Sequence, residues 1–361
     1  MPLIRALAYH VDPRNPLEDS ISRLNEASEV LDRLVKNIDL DVWSRRLVLP
    51  ELRGRLNQLS IMVEEAAGDE GFDYAAIPLG SASPETITGE LIEALKNTTR
   101  VFFNYKVADL NVDPCNISFK PVISMLRRIA VEAGPDACTR FALAYGGPPE
   151  TPYFPDCASR RQGVSACLRY AGDLQGVGVD TLKESVRQVL GRVSFKLEEA
   201  CRSLGVRYVG LDASLSPWMD ESVARIIENI SGSIFGGPGT LSSIYLINRL
   251  IEEFSAEFRL TGFNEVMLPL AEDSRLIELA EKRLITASTL TSLISVSVSG
   301  LDMVALPLSL DYPALSNLLR DAFTLAYRKQ KPIGVRLILA DLEPYEYLEL
   351  QRFTMIPVVP P

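Results

Sequence analysis

Short apolar runs alternate with longer segments of helical periodicity along the whole chain. Ten of the runs have strand length, one for every roughly 36 residues, the size of one strand–helix step. The predicted strands are residues 3–10, 42–49, 73–78, 100–107, 139–145, 163–170, 206–212, 263–269, 301–307 and 334–340. Because no linker interrupts the alternation, the pattern predicts one large α/β domain over residues 1–361.

The segments between the strands carry apolar residues three and four positions apart, as in residues 24–34 and 246–251. Pro16, Pro84 and Pro313 each stand where such a segment begins. A proline is tolerated there because the first N–H groups of a helix have no partner within it. The segments are therefore predicted to be helices.

Composition narrows the class of protein. The 361 residues include 37 basic and 47 acidic side chains, a net charge of −10, which argues against a nucleic-acid partner. Five cysteines without a CxxC pair fit a reducing compartment. The first residues lack the apolar segment of a signal peptide, and no apolar run is long enough to cross a membrane. A soluble cytoplasmic protein is expected.

The sequence also limits the chemistry. His10 is the single histidine, so zinc sites with several histidines are excluded. No nucleotide-binding glycine motif and no GxSxG motif occurs. His10 fits a buried structural role better than a base, and Cys157 and Cys167 fit small buried side chains better than nucleophiles. Catalysis, if any, falls to carboxylates, Arg, Lys, Ser or Cys.

Polar side chains recur at alternate positions of the predicted strands. In a closed barrel, one face of each strand lines the interior. The residues expected to face inward and bind a ligand are Asn104, Lys106, Arg140, Arg169 and Arg336, opposed by Asp212, Glu265 and Asp302. Such an interior suits an anionic or zwitterionic small molecule. A salt-bridge network that serves structure alone is the alternative.

Further candidate site residues lie in residues 206–240 and in the segment that follows the predicted strand 263–269. Ser214 follows Asp212, and a glycine-rich turn ending in Gly239 and Thr240 precedes a helix and could bind an anion through its N–H groups. A plain turn with Thr240 as the helix N-cap is the alternative. Glu272 stands beside Asp273, where barrel loops place acid–base groups or where carboxylates cap a helix.

A proline-rich loop over residues 147–157 also stands out, because it has four prolines and two aromatic residues. Unstructured loops of this length are uncommon unless they cover or line a binding site. The composition favours a wall or cover, with a packed surface connection as the alternative.

Several motifs together resemble domain-of-unknown-function family 711, also catalogued as uncharacterised protein family 0210. They are Asp212-Ala-Ser214-Leu-Ser216-Pro217, Glu221-Ser222-Val223-Ala224, Gly239-Thr240, Pro269-Leu-Ala-Glu272-Asp273 and Gly300-Leu301-Asp302-Met303. The resemblance implies a ten-stranded α/β barrel similar to that of pyruvate formate-lyase and the glycyl radical enzymes. Its two five-stranded parallel halves run antiparallel to each other. Gly334 lies inside a predicted strand rather than in a radical-bearing loop, so no glycyl radical chemistry is expected.

Two hypotheses about function follow. The first is an enzyme that acts on a small anionic metabolite in the barrel interior, with Asp212 and Glu272 as acid–base groups. The second is a non-catalytic ligand sensor or partner-binding protein. A homo-oligomer is one candidate assembly, and the family resemblance suggests an ACT-domain protein as a partner. A divalent cation, Mg²⁺ or Ca²⁺, is a candidate cofactor near Asp212, Glu272 and Asp302.

Overall fold

Twelve strands, eight of them in one large sheet, are present in the computed structural model, which describes residues 3–15, 19, 21–51 and 55–361. In chain order they are β1 (Leu3–His10), β2 (Arg45–Val48), β3 (Tyr74–Pro78), β4 (Val101–Ala108), β5 (Phe141–Tyr145), β6 (Gly163–Arg169), β7 (Tyr208–Asp212), β8 (Val304–Pro307), β9 (Ile333–Val335), β10 (Leu337–Ala340), β11 (Tyr347–Leu348) and β12 (Ile356–Pro357). Nine of the ten predicted strands thus contain a regular strand, and the fold is mixed α/β.

Helices separate most of the strands, as the periodicity predicts. They are α1 (Leu24–Ile38), α2 (Leu56–Asp69), α3 (Pro84–Asn97), α4 (Lys120–Glu132), α5 (Pro135–Cys138), α6 (Ala171–Leu174), α7 (Val179–Ser203), α8 (Val223–Ser231), α9 (Thr240–Glu253), α10 (Ser274–Glu281), α11 (Ala287–Leu293) and α12 (Tyr312–Lys329). Pro84 and Pro313 lie in the first turns of α3 and α12, which confirms that expectation. Pro16 lies outside the described residues. No helix of the described part has the length and apolar character needed to cross a membrane.

The strand order of the large sheet is β7-β6-β1-β2-β3-β4-β5-β9. Strands β1 to β5 run parallel to one another, and β6 and β7 are parallel to each other. The pairs β1–β6 and β5–β9 are antiparallel, so the sheet contains two opposed directions. Strands β8 and β10 form a separate parallel pair.

The predicted strand 263–269 is wrong as a regular strand, because only an isolated bridge from Met267 to Ser299 forms there. Backbone N–H groups of this segment donate to side-chain oxygens instead of to the carbonyls of a neighbouring strand. Asp212 accepts from the backbone of Phe263 and Asn264, and the Ser214 hydroxyl accepts from Glu265. Side-chain capture of this kind competes with ladder formation.

The expected strand 334–340 is divided at Arg336. Residues before Arg336 pair with β5, whereas those after it pair with β8. The Arg336 N–H instead donates to the carbonyl of Leu301. The strand therefore changes partners at the residue whose side chain the sequence analysis selects as a ligand-binding group.

Apolar side chains pack in one main core and in two small separate clusters. The main core joins the helices to one face of the sheet. Ala6, Cys167 and Tyr153 belong to one small cluster, and Ala8 and Cys157 belong to the other. Because Ala6 and Ala8 alternate with Leu7 and Tyr9 of the main core, the two small clusters lie on the opposite face, together with the loop 147–157.

Candidate functional site

A cavity of about 210 Å³ lies on the face of the sheet that carries the two small clusters. Its wall contains four arginines (Arg5, Arg46, Arg336, Arg352) and four carboxylates (Asp73, Asp156, Glu272, Asp302). Asp73 and Arg352 are exposed at the rim, and most of the other charged groups are buried. The arrangement of these charges decides what the cavity can bind.

A β-bulge directs Arg5 into the cavity. The register of β1 against β6 shifts between Ile4 and Ala6, so that Arg5 is the additional residue. Regular alternation would place Arg5 with Leu7 and Tyr9, on the face covered by helices. Bulges redirect side chains in this way and are frequent near active sites.

Four buried charges form an alternating network at the base of the cavity. Glu272 accepts from Arg5 and also from Arg336, whose Nη2 lies 3.2 Å from Oε1. Arg336 also pairs with both oxygens of Asp302. Burial acts to raise the pKa of Glu272, but the charges of Arg5 and Arg336 outweigh it and lower that pKa. The network is neutral as a unit, which makes its burial tolerable.

Arg46 differs from these arginines because none of the described carboxylates lies within ion-pair distance of it. Its guanidinium donates to the hydroxyl of Ser44 at 3.0 Å and to the carbonyl of Pro152 at 2.9 Å. It also lies over the rings of Phe154 and Tyr74, 5.1 Å and 5.6 Å from the centroids. Burial lowers the pKa of Arg46. The positive charge of Arg46 is therefore not neutralised by the described residues, and a guanidinium can donate two parallel hydrogen bonds to an anion.

Asp156 is the complementary group. It follows the segment Tyr153–Pro155 in the proline-rich loop, and neither of its buried carboxylate oxygens has a hydrogen-bond partner among the described residues. Burial, with the charge of Asp302 adding to it, raises the pKa of Asp156 to about 7. A Cβ at Gly334 would lie 2.7 Å from that of Asp156, so glycine is required for the close approach.

Aromatic side chains form much of the remaining wall, and they fall into two groups. Tyr74, Phe102 and Phe154 make successive contacts, with centroid separations of 5.5 and 5.7 Å. Trp43 and Trp218 meet edge to face at 4.7 Å. Phe353, from the segment between β11 and β12, lies against Trp218. The cavity therefore combines charged groups with stacking surfaces.

The structure brings three of the sequence-predicted site residues into this cavity, namely Glu272, Asp302 and Arg336. Asp273, the neighbour of Glu272, instead caps helices. Its carboxylate accepts from Arg275 and Leu276 of α10 and from the N-terminus of α8. Of the acidic pair, Glu272 thus lies in the cavity wall, whereas Asp273 is a helix cap.

Asp212 and Ser214 lie outside the cavity wall. Asp212 is buried, and its oxygens accept from Thr151, from Ser214 and from the backbone near Phe263. Burial raises the pKa of Asp212, and these hydrogen bonds oppose that effect. Asp212 therefore fastens the proline-rich loop to the crossover after β7, and its acceptor sites are occupied.

The remaining predicted ligand groups on the strands also find partners elsewhere. Asn104 donates to the carbonyls of Pro155 and Cys157, at 2.7 and 2.8 Å. Lys106 pairs with Asp109, and Arg169 makes a bidentate pair with Glu221. Arg140 donates to carbonyls at the end of α3 and the start of β4, and burial lowers its pKa to about 10. Glu265 is also satisfied, by Lys329 and Lys331.

The glycine-rich turn lies away from the cavity wall. Gly239, with a φ of 93°, is the N-cap of α9, so the expectation of Thr240 as N-cap is wrong. Thr240 is the first helical residue, and its hydroxyl accepts from the N–H of Gly236 at 3.0 Å. Glycine adopts a positive φ without steric cost, which explains why Gly239 and not Thr240 is the N-cap.

His10, Cys157 and Cys167 are buried. His10 contacts Ser165 at 2.7 Å through Nε2, and burial lowers the pKa of His10 to about 3. Burial raises the pKa of Cys167 to about 12 and that of Cys157 well above its usual value. Raised thiol pKa values oppose a nucleophilic role at neutral pH.

No group of three or more metal-ligating side chains is gathered anywhere in residues 3–15, 19, 21–51 and 55–361. Of the three candidate cation ligands, Asp212 is outside the cavity wall, whereas Glu272 and Asp302 are paired with arginines. The oxygen atoms that a hard cation would need are therefore already engaged.

Sequence reasoning missed four groups that shape the cavity: Arg5, Arg46, Asp156 and Arg352. The strand pattern could have identified Arg46, because Arg46 shares a strand face with Val48 and lies beside Ala8 of the neighbouring strand. Asp156 and Arg352 lie in irregular segments where no periodicity applies, and the bulge conceals Arg5.

Sequence comparison assigns the chain to a family. A model of the family described as "Uncharacterised ACR (DUF711)" matches residues 50–341, which include Asp156, Glu272 and Arg336. The chain belongs to the DUF711 family. This confirms the resemblance drawn from the motifs around Asp212 and Gly300.

Relatives of this DUF711 chain come from archaea and bacteria. A UPF0210 protein of Pyrobaculum aerophilum is 25% identical over 99% of this chain and 92% of its own length. A UPF0210 protein of Pyrobaculum arsenaticum is 26% identical over 76% of this chain, but that match covers 64% of the relative, less than two thirds. One from Halothermothrix orenii is 24% identical over 76% of this chain. These names describe no reaction, so function has to be inferred from the cavity.

Proposed function

We propose that this protein is an enzyme that acts on a small anionic molecule bound in the cavity, with Arg46 holding the anion. The observation that carries the proposal is the pairing state of the charges. Arg5, Arg336, Glu272 and Asp302 neutralise one another, whereas Arg46 has only neutral partners among the described residues. A bound anion would compensate that charge.

Asp156 supplies the proton-transfer group. Its carboxylate lies in the same cavity wall as Arg46 and makes no hydrogen bond to the described residues. A pKa of about 7 lets it give or accept a proton near neutral pH. Glu272, whose pKa is lowered, acts instead by fixing the two arginines that flank it.

The volume of the cavity limits the size of the molecule. Pockets for drug-sized ligands occupy roughly 300–1,000 Å³. A cavity of about 210 Å³ therefore suits a smaller molecule, of metabolite size. The proposed reaction involves no glycyl radical; Gly334 lies in β9, close to Asp156.

The proposal includes closure of the sheet into a ten-stranded barrel within one domain. Backbone hydrogen bonds support it, because they link β7 to β10 through the irregular segments between them. Leu211 bonds with Arg259 and Thr261, and Leu268 donates to Ser299. Arg336 then donates to Leu301, and β10 pairs with β8. Together with the pairing of β9 with β5, these bonds run around a ring.

A non-catalytic ligand sensor remains the second candidate. The observation that favours it is the exposed apolar pair Leu241 and Tyr245, one turn apart on α9, which would suit a partner such as an ACT-domain protein or a second copy of the chain. Turnover separates the two candidates, since a sensor binds the anion without converting it.

The test combines binding and turnover. A panel of small carboxylic acids and phosphorylated metabolites is screened by thermal shift, and each stabilising compound is then incubated with the protein and analysed by mass spectrometry. We expect a stabiliser that is converted by the natural chain, bound but not converted by Asp156→Asn, and not bound by Arg46→Met. Binding that survives Arg46→Met would contradict the proposed site, and binding without conversion would favour the sensor.

A further inference from the structure

The charges and the rings of the cavity together specify a class of ligand. Counting only the interior groups, Arg5 and Arg336 balance Glu272 and Asp302, and Arg46 adds one positive charge. Asp73 and Arg352 lie at the exposed rim, where solvent screens them. The interior is therefore suited to one negative charge when Asp156 is protonated.

A single charge discriminates between anions. A carboxylate would leave the interior neutral, whereas a phosphomonoester dianion would leave one negative charge uncompensated in a partly apolar cavity. Burying an uncompensated charge is costly. The geometry of Arg46 also suits a carboxylate, since a guanidinium can donate two parallel hydrogen bonds to it.

Aromatic residues are the largest group in the rest of the wall. They supply 8 of the 26 lining residues, both tryptophans of the chain among them. The Tyr74–Phe102–Phe154 group lies beside Arg46, whereas Trp43 and Trp218 lie beside Arg5. Aromatic side chains favour a planar partner through offset stacking and edge contacts.

Resting on the proposed anion site, we infer that the ligand is a monocarboxylate with a planar aromatic body, its carboxylate on Arg46 and its ring between the aromatic groups. A protonated Asp156 adds a hydrogen-bond donor for a carboxylate or carbonyl oxygen of the ligand. A phosphorylated sugar fits neither the charge nor the walls.

Isothermal titration calorimetry at pH 6 tests the inference with four probes: phenylacetate, phenyl phosphate, acetate and 2-phenylethanol. We expect phenylacetate to bind at least about tenfold more tightly than acetate, which lacks the ring, and than 2-phenylethanol, which lacks the charge. It should also bind more tightly than phenyl phosphate, about half of which is the dianion at pH 6. Arg46→Met should weaken phenylacetate binding at least about tenfold, because it removes the charge-assisted hydrogen bonds. Arg45→Met, which changes the adjacent residue on the opposite face of β2, should leave the affinity unchanged.

Different failures have different meanings. If phenyl phosphate or acetate binds as tightly as phenylacetate and still depends on Arg46, the ligand class is wrong and the anion site stands. If 2-phenylethanol binds as tightly as phenylacetate, the charge plays no part and the inference fails. If no anion binds, or if Arg46→Met has no effect, the anion site itself fails.

Discussion

Two buried groups, Asp156 and His10, have opposite effects on the pH dependence of stability over nearly the same pH range. The pKa of Asp156 is raised to about 7, so its protonated form belongs to the native state and its contribution to stability is lost as pH rises toward 7. The pKa of His10 is lowered to about 3, so its neutral form is native and stability is lost as pH falls below its usual value of 6.5. The two slopes largely cancel between pH 4 and 6.5.

Removing one of the two groups should therefore reveal the other. In Asp156→Asn we expect the free energy of unfolding to rise with pH up to about 6.5 and to exceed that of the natural chain at pH 8. The difference reaches up to about 4 kcal/mol, since one pKa unit corresponds to about 1.4 kcal/mol. Urea denaturation at pH 4, 6 and 8 measures it. Asp321→Asn, at an exposed position of α12, is the control, and an identical profile for both variants would contradict the raised pKa.

The buried arginines should respond differently to loss of charge. Glu272→Gln leaves Arg5 and Arg336 without a shared partner, and we expect a loss of about 3–5 kcal/mol in unfolding free energy. Arg46→Met leaves no carboxylate without its partner, so the free energy of unfolding should stay within about 1 kcal/mol of that of the natural chain or increase. Urea denaturation of both variants at pH 7 distinguishes them. Equal destabilisation would mean that Arg46 has a charged partner in the folded protein.

At the scale of elements, the site depends on how the loop 147–157 is held against the sheet. Asn104 of β4 donates to two loop carbonyls, Thr151 donates to Asp212, and Arg46 donates to Pro152. The loop in turn presents Asp156. Rigid attachment at several points positions a site residue that lies in irregular structure.

Asn104→Leu should loosen this loop. Because the buried Cys157 carbonyl would lose its donor, whereas the Pro155 carbonyl still accepts from the N–H of Cys157, we expect a destabilisation of about 1–3 kcal/mol, the cost of one unsatisfied group. Hydrogen exchange followed by mass spectrometry should show faster exchange in peptides covering the loop. Lys106→Leu, two residues along the same strand and paired only with the exposed Asp109, is the control. Unchanged exchange in Asn104→Leu would show that the loop is held by its other contacts.

At the scale of the whole molecule, the proposed closure of the sheet has the largest consequence. In a closed sheet, the irregular segments near Leu268 and Val298 are interior strands, whereas in an open sheet they are edges. Interior amides are protected from exchange by their hydrogen bonds, but edge amides open locally. Closure would also surround the sides of the cavity with strands.

Amide exchange measured by NMR separates these arrangements. We expect the amides of Met267, Leu268 and Val298, each bonded to a carbonyl of a neighbouring segment, to exchange on the time scale of the β1 amides. The exposed turn at Gly205 and the β11–β12 segment provide fast-exchanging references. Exchange of the three amides as fast as these references would contradict a closed barrel.

The hydrophobic period of the sequence was sufficient for the alternation of strands and helices and for nine of the ten strand positions, and the motifs were sufficient for the family. The apolar period reports which face a residue takes in a regular element, because that depends on local geometry alone. Strand faces selected Asp302 and Arg336, and the position after a predicted strand selected Glu272, and all three line the cavity. Local patterns therefore predicted the order of strands and helices and three residues of the cavity wall.

Tertiary structure alone decided which charges remain available to a ligand. Asp212 and Arg46 are both charged residues of buried strands, yet five hydrogen bonds occupy the first, whereas the second has only neutral partners. The bulge at Arg5 and the loop that carries Asp156 are set by distant contacts with β6 and β4. Pairing is a property of groups brought together from across the chain, and no local period encodes it.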